Sequence, residues 1–387
     1  MLAGVDVDTR SLREPVSAAL GGAAEVVTFQ AKRIGYHNTN PVTASLARLT
    51  GSARVGGALR TWSMVLKELR PLGKDDRTRW FGTGLPPALE ERANDLYRWD
   101  REALAYASPL VGPQSALASP RCYRCAVEQD RALLFLEDLG EAAPVWTLAD
   151  YAIAAADLGR FNAIHASAPP QDEWLCRGWL STWVALGPYR GFVECPTEEE
   201  WDDERVRRRL PRAALGELKA LVGDAARRAA ACDALPATLV HMDAFRSNLF
   251  LRRTDRGAAT VAVDWSFMGL ACLGADLAQL VVASAFFTDD APDVEAIEMA
   301  TFPAYVDGLR AGGSDASVAT IWRAYADNVI ARWGFARPLT YALRTARDPA
   351  ARLAWEERTG EDIERRVRLH VERLAYVRDV ASRSAPR

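Results

Sequence analysis

The amino-acid sequence predicts an α+β fold in two lobes: a small N-terminal antiparallel sheet with one main helix, and a larger, mostly helical C-terminal lobe containing a β-hairpin. Before Gly140, strand-like runs follow one another closely across Gly-rich turns such as "SARVGGA", as in an antiparallel meander. Beyond Gly140 most apolar residues recur at helical period. One segment interrupts that period, "VHMDAFRSNLFLRRTDRGAATVAVDWSFMG" (240–269). Its runs "NLFLRR" and "ATVAVDW" flank "TDRG", where Gly257 supplies a left-handed turn position, so the two pair as a hairpin.

The first 35 residues predict a short helix, "DTRSLREPVSAALGG", and a strand, "EVVTFQAKRIG". After the polar loop "YHNTNPVTAS" come two more strands, "SLARLTG" and "TWSMVLKEL", and then a loop rich in Pro, Gly and charge over 71–90. "LYRWDREALAYASPL" has helical period, with Leu96, Trp99, Leu104 and Tyr106 as candidate core residues. "RCYRCAVE" and "ALLFLEDLG" complete the sheet. These elements divide the chain into an N-terminal lobe (1–137), a short link (138–146) and a C-terminal lobe (147–387). Clefts between two such lobes are preferred ligand sites.

At 387 residues the chain is long enough for a sizeable core, and its net charge of -3 offers no basic excess for nucleic acid. No stretch reaches the length of a membrane span, and the N-terminus lacks a basic region followed by an apolar one. A cytoplasmic protein with no nucleic-acid or membrane partner is the expectation. The 6 cysteines are scattered, which favours reduced thiols; Cys122 and Cys125 form a CxxC without a second pair at zinc spacing.

Counted outward from the hairpin turn, Asn248 and Asp264 lie at nearly equal distance, with Asp243 just before the first strand. Two carboxylates and an amide crowded together are costly unless a cation joins them. Hard oxygen donors of this kind suit Mg²⁺, which completes its shell with water and phosphates. The structural alternative is that Asp243 caps a turn, Asn248 satisfies backbone groups and Asp264 ends a strand.

The motifs "HMDAFRSN", "VDWSFMGLACLGADLA", "MVLKE", "REALAY" and "LFLEDL" together resemble those of the aminoglycoside phosphotransferase and choline kinase-like family. The resemblance runs in order over roughly residues 25–335. It implies a protein-kinase-like fold whose N-terminal lobe binds nucleotide. It also implies a kinase that uses Mg²⁺ and ATP or GTP to phosphorylate a hydroxyl of a small polar acceptor, as monomer or homodimer. By the same resemblance Asp243 is the catalytic aspartate. Asn248 and Asp264 are the metal ligands, and Lys67 with its partner Glu102 completes the nucleotide site. Lys67 is expected to emerge at the edge of a strand, with Glu68 on the opposite face. His241 is expected to brace the catalytic loop and Asp276 to cap a helix.

The sequence departs from the family at Met242, where glycine is usual, and in the loop "HNTNPVTAS", which lacks phosphate-approaching glycines. Trp265-Ser266 and the lack of an A-P-E motif imply no protein-kinase activation switch. For the acceptor, Trp174, Trp179 and Trp183 beside the acids of "PTEEEWDDE" form either a cation-attracting surface or a helix core with a solvated acidic face. Choline, homoserine, methylthioribose, fructosamines, macrolides and aminoglycosides stay open, as does a role in antibiotic resistance. A catalytically silent, nucleotide- or metabolite-binding regulator is the alternative.

Overall fold

The computed structural model describes residues 7–35, 40–141, 145–255, 257–288 and 291–384. In the small lobe, α1 (Arg13–Leu20) covers a sheet formed by β1 (Ala24–Arg33), β2 (Thr43–Val55), β3 (Ala58–Leu69), β4 (Cys122–Val127) and β5 (Ala132–Glu137). The strand order is β1-β2-β3-β5-β4 and every pair is antiparallel. β2 turns into β3 through Gly56 and Gly57, at φ 56 and 84, the left-handed pair that a two-residue hairpin demands. Leu49, Ala53, Met64, Leu66 and Phe135 pack on one face with Val16 of α1 and Leu12 just before it. Alternation along β3 sends Val65, Lys67 and Leu69 to the other face.

Between β3 and β4 run α2 (Lys74–Phe81), α3 (Pro87–Leu96) and α4 (Arg101–Ala107). The expected loop over 71–90 therefore contains a helix and the start of another. The polar α2 buries only Phe81, which leaves no apolar period to detect. The expected helix over 96–110 is also broken, at Tyr97–Asp100, where Arg98 turns back to Asp100 at 2.8 Å. Leu96 is buried, whereas Trp99, Leu104 and Tyr106 are half-buried, because α4 turns Arg101, Glu102, Ala103 and Ala105 inward.

The large lobe begins with α5 (Leu148–Ile164), β6 (Cys176–Arg177), α6 (Trp179–Leu186), α7 (Glu198–Trp201), α8 (Glu204–Arg207) and α9 (Ala214–Asp233). There follow β7 (Ala237–Val240), the hairpin β8 (Leu249–Thr254) and β9 (Gly257–Ala262), and β10 (Gly269–Cys272). The chain ends in α10 (Ala275–Phe287), α11 (Val294–Ala311), α12 (Val318–Trp333), α13 (Arg337–Arg347), α14 (Pro349–Thr359) and α15 (Ile363–Arg383). The hairpin forms as expected, with Leu249 opposite Ala262 and Thr254 opposite Gly257. It is not the lobe's sole β-structure, since β6, β10 and β7 form a second small sheet. α5 and α11 cross closely because Gly308 stands where a Cβ would lie 2.0 Å from the Ala156 carbonyl oxygen. Leu158, Phe161, Trp265, Leu277 and Tyr305 are fully buried around this crossing. Among the described residues, no helix is long and apolar enough to cross a membrane.

Candidate active site

The loop after β7 is held from beneath by Asp276. This fully buried carboxylate accepts the backbone N–H groups of His241 at 3.0 Å and Met242 at 2.8 Å, and the Asn162 amide at 3.0 Å. Asp276 lies in the first turn of α10 but makes no cap there, so its helix-capping expectation is replaced by a clasp on the loop. Met242 adopts φ 65, a left-handed conformation natural to glycine and costing a non-glycine residue about 1 kcal/mol. Its side chain is nonetheless buried among Val240, Phe267 and Trp179, which offsets that strain. His241 accepts the Asp243 N–H at its Nδ1 (3.2 Å), so the proton resides on Nε2, which donates to the Val263 carbonyl at 2.9 Å. Burial lowers its pKa and favours this neutral form. His241 is therefore the expected brace between loop and hairpin.

Asp243 is fixed from three sides. Its Oδ2 accepts Asn248 Nδ2 at 2.9 Å, its Oδ1 accepts Gln279 Nε2 at 2.8 Å, and Arg332 Nη2 lies 3.7 Å from Oδ1. Burial pushes the Asp243 pKa up to about 6, with Arg332 opposing the rise and Asp264 adding to it. Arg332 also donates to the Met242 carbonyl at 3.0 Å. Gln279 and Arg332 were not singled out by the sequence, because each is one polar residue on an otherwise helical pattern.

Asp264 follows β9 in a left-handed conformation (φ 62, ψ 67) that turns its side chain back toward the small lobe. Its Oδ1 meets Lys67 Nζ at 3.0 Å and accepts the Ser266 hydroxyl at 2.6 Å. Ser266 in turn accepts the Asn40 amide at 2.7 Å. Lys67 Nζ also pairs with Glu102 Oε2 at 2.6 Å. Lys67 lies near the end of β3, as expected, but β3 is the central strand of the sheet and the side chain is only 7% exposed. Burial lowers the Lys67 pKa, but Asp264 and Glu102 outweigh it and the net shift is upward. Burial raises Glu102 to about 7 despite Lys67. Burial would raise Asp264 as well, but Lys67 prevails and holds it below the usual carboxylate range. Glu68 points to the other face, where it accepts from Ser45 and pairs with Arg70.

These groups open on an interlobe cleft of about 650 Å³. Leu46 and Val65 of the sheet face Phe250 and Val263 of the hairpin across it, with Glu137 to Gly140 along one side and Lys67, Asn248 and Asp264 in its wall. Apolar walls with few polar groups at one end suit a base and its phosphates. Asn248 gives its amide nitrogen to the carbonyl and carboxylate of Asp243. The opposite amide orientation would set oxygen against oxygen, so the remaining donor atom is its Oδ1. That oxygen and the Asp264 carboxylate are the hard donors Mg²⁺ takes alongside phosphate and water. Among the described residues, no group of three or more His, Cys, Asp and Glu forms a self-sufficient metal cage.

Two expectations fare differently. In the loop "HNTNPVTAS", His37, Asn38 and Thr39 lie outside the described residues. The tryptophans are occupied by the protein's own cations: Arg332 lies 4.0 Å over Trp179, and Arg190 lies 4.4 Å over Trp183. Trp174 packs against the core. Among the acids of 198–204, Glu200 pairs with Arg344 and Asp203 with Arg205 and Arg347. The structural alternative holds for this stretch.

No protein-family model and no curated protein matches the chain. Among solved structures, a microcompartment-associated aminopropanol kinase is 12% identical, with 97% of this chain and 98% of that chain covered, at a TM-score of 0.48. An amicoumacin kinase in complex with AMP-PNP, Ca²⁺ and Ami is 12% identical, covering 96% and 94%, at 0.46. An aminoglycoside phosphotransferase from Streptomyces rimosus is 18% identical, covering 85% and 100%, at 0.38. The chain is similar to small-molecule kinases.

Proposed function

We propose that this chain is a Mg²⁺-dependent small-molecule kinase that moves the γ-phosphoryl group of ATP or GTP to a hydroxyl of a small polar acceptor. In this reading residues 1–137 bind nucleotide, 138–146 are the hinge and 147–387 carry catalysis and acceptor binding. The supporting observation is the shared ion pair of Lys67 with Glu102 and Asp264, which joins sheet to hairpin in the cleft that Asn248 also lines, with Asp243 hydrogen-bonded to Asn248.

Phosphoryl transfer asks the protein mainly for positioning and for neutralisation of phosphate charge. Lys67 carries a fixed positive charge to the phosphates, and Glu102 fixes its direction. Asn248 and Asp264 would hold Mg²⁺, which supplies further neutralisation when bound. Asp243 orients the acceptor hydroxyl. The acceptor oxygen bonds to the γ-phosphorus, the bond to the β–γ bridging oxygen breaks, and the hydroxyl proton passes late to Asp243.

The test measures nucleotide consumption over a panel of amino sugars, macrolides and metabolites, beside Mg²⁺·ADP binding by thermal shift. Asp243→Asn is expected to lower turnover by about 10³-fold with nucleotide binding retained. Asp264→Ala is expected to abolish the Mg²⁺-dependent shift while the fold persists. Undiminished turnover in Asp243→Asn overturns that residue's role. Failure of the unsubstituted protein to bind nucleotide with Mg²⁺ overturns the kinase reading.

A further inference from the structure

Linked to Asp243 through Arg332, α6 presents Trp179 and Trp183, stacked 5.3 Å apart at an interplanar angle of 13°. Each indole carries a guanidinium. Arg332 of α12 covers Trp179 and reaches the Asp243 carboxylate, while Arg190, from the loop after α6, lies over Trp183 and at 4.3 Å over Phe192. The Tyr97 hydroxyl lies within the electrostatic reach of Arg190, Arg332 and Asp243, so the two arginines and the carboxylate share one neighbourhood.

The charge balance there is cationic. Arg332 is matched by Asp243, but among the described residues no carboxylate pairs with the half-buried Arg190, whose Nη1 is buried without a hydrogen-bond partner. The nearby Glu194 is taken by Arg344 at 2.6 Å and approached by Arg337. A buried guanidinium donor without an acceptor is a costly arrangement in the free protein, and an incoming anion removes that cost. An ammonium-bearing acceptor would meet like charge, on aromatic faces already holding cations.

Building on the kinase reading above, we propose that the acceptor is a small alcohol carrying an anionic group, a carboxylate or a phosphate, which Arg190 receives while Asp243 orients the hydroxyl. The planar guanidinium suits either anion. Arg332 acts as a positioning residue for Asp243.

The experiment compares four probes that share a three-carbon chain and differ in charge: glycerate, glycerol 3-phosphate, glycerol and 3-aminopropane-1,2-diol. Binding to the protein saturated with Mg²⁺·ADP is measured by calorimetry and by tryptophan fluorescence, and turnover is measured with Mg²⁺·ATP and Mg²⁺·GTP. At least one anion is expected to bind about tenfold more tightly than the amine, the scale of one charge-assisted hydrogen bond. The better of the two anions identifies the group recognised. Arg190→Gln is expected to erase that preference while Mg²⁺·ADP affinity stays within about twofold, and Arg190→Lys is expected to restore part of it. The inference is overturned if the amine binds as well as the anions, if neither anion binds, or if Arg190→Gln keeps the preference. Loss of Mg²⁺·ADP binding by the unsubstituted protein would instead strike the kinase reading, so the two failures are distinguishable.

Discussion

The open end of the hairpin and the stretch from Glu194 to Glu204 are built from the same residue types, yet their charges meet opposite fates. Around the hairpin, Glu102 and Asp264 are buried against Lys67 and the half-buried Asp243 faces Arg332, and burial displaces Asp243 to about 6 and Glu102 to about 7. In the other stretch arginines meet the acids directly. Glu194 and Glu200 share Arg344, and Asp203 takes both Arg205 and Arg347. Hydrogen bonds from Arg205 hold Asp203 down at about 2. A cluster short of counter-charge retains capacity for a ligand cation; a cluster whose acids are met by arginines is closed upon itself and contributes only stability.

That contrast can be tested by altering each side. The largest effect is expected from Asp276→Asn, which sets an amide N–H against one of the three N–H groups the carboxylate now accepts. Chemical denaturation should show a loss of about 3 kcal/mol, and turnover should fall with it. A loss below about 1 kcal/mol would show that the loop keeps its shape without the clasp.

Met242→Gly comes next, because two effects compete. Glycine relieves about 1 kcal/mol of left-handed strain but forfeits about 2–3 kcal/mol of side-chain burial. A net destabilisation of about 1–2 kcal/mol is expected, and stabilisation by the same measurement would show that strain dominates.

The smallest effect belongs to the paired acids. Because the folded pKa of Asp203 lies below its unfolded value of 3.8, its contribution is present above about pH 4 and fades as pH falls toward 2. Partial exposure limits it to about 1 kcal/mol. Asp203→Asn should flatten that part of the acid-stability curve and leave nucleotide binding alone; an unchanged curve would contradict the assignment.

Local chemistry was legible in the sequence, and assembly across distance was not. The hairpin could be read because its alternation, its turn and the spacing of Asp243, Asn248 and Asp264 fall within one short segment. Lys67 and Glu102 emerged from their motif contexts, though the central position of β3 did not. α2 escaped notice because its face is charged, and β6, β7 and β10 because strands of two to four residues carry no period. The tryptophans of α6 looked open to a cation because the guanidinium over Trp179 comes from Arg332, far along the chain. No local pattern records such a contact.

Arg101, the neighbour of Glu102, bears on how such a site is controlled. Its fully buried guanidinium donates to the carbonyls of Leu96, Trp174 and Ser266 and to both the backbone and the carboxylate of Asp95. It thereby rivets α4 to the large lobe as well as to α3. Swinging α4 outward to part Glu102 from Lys67 would strand a buried cation, at a cost of several kcal/mol. Under the proposed function Arg101 thus keeps Glu102 set against Lys67.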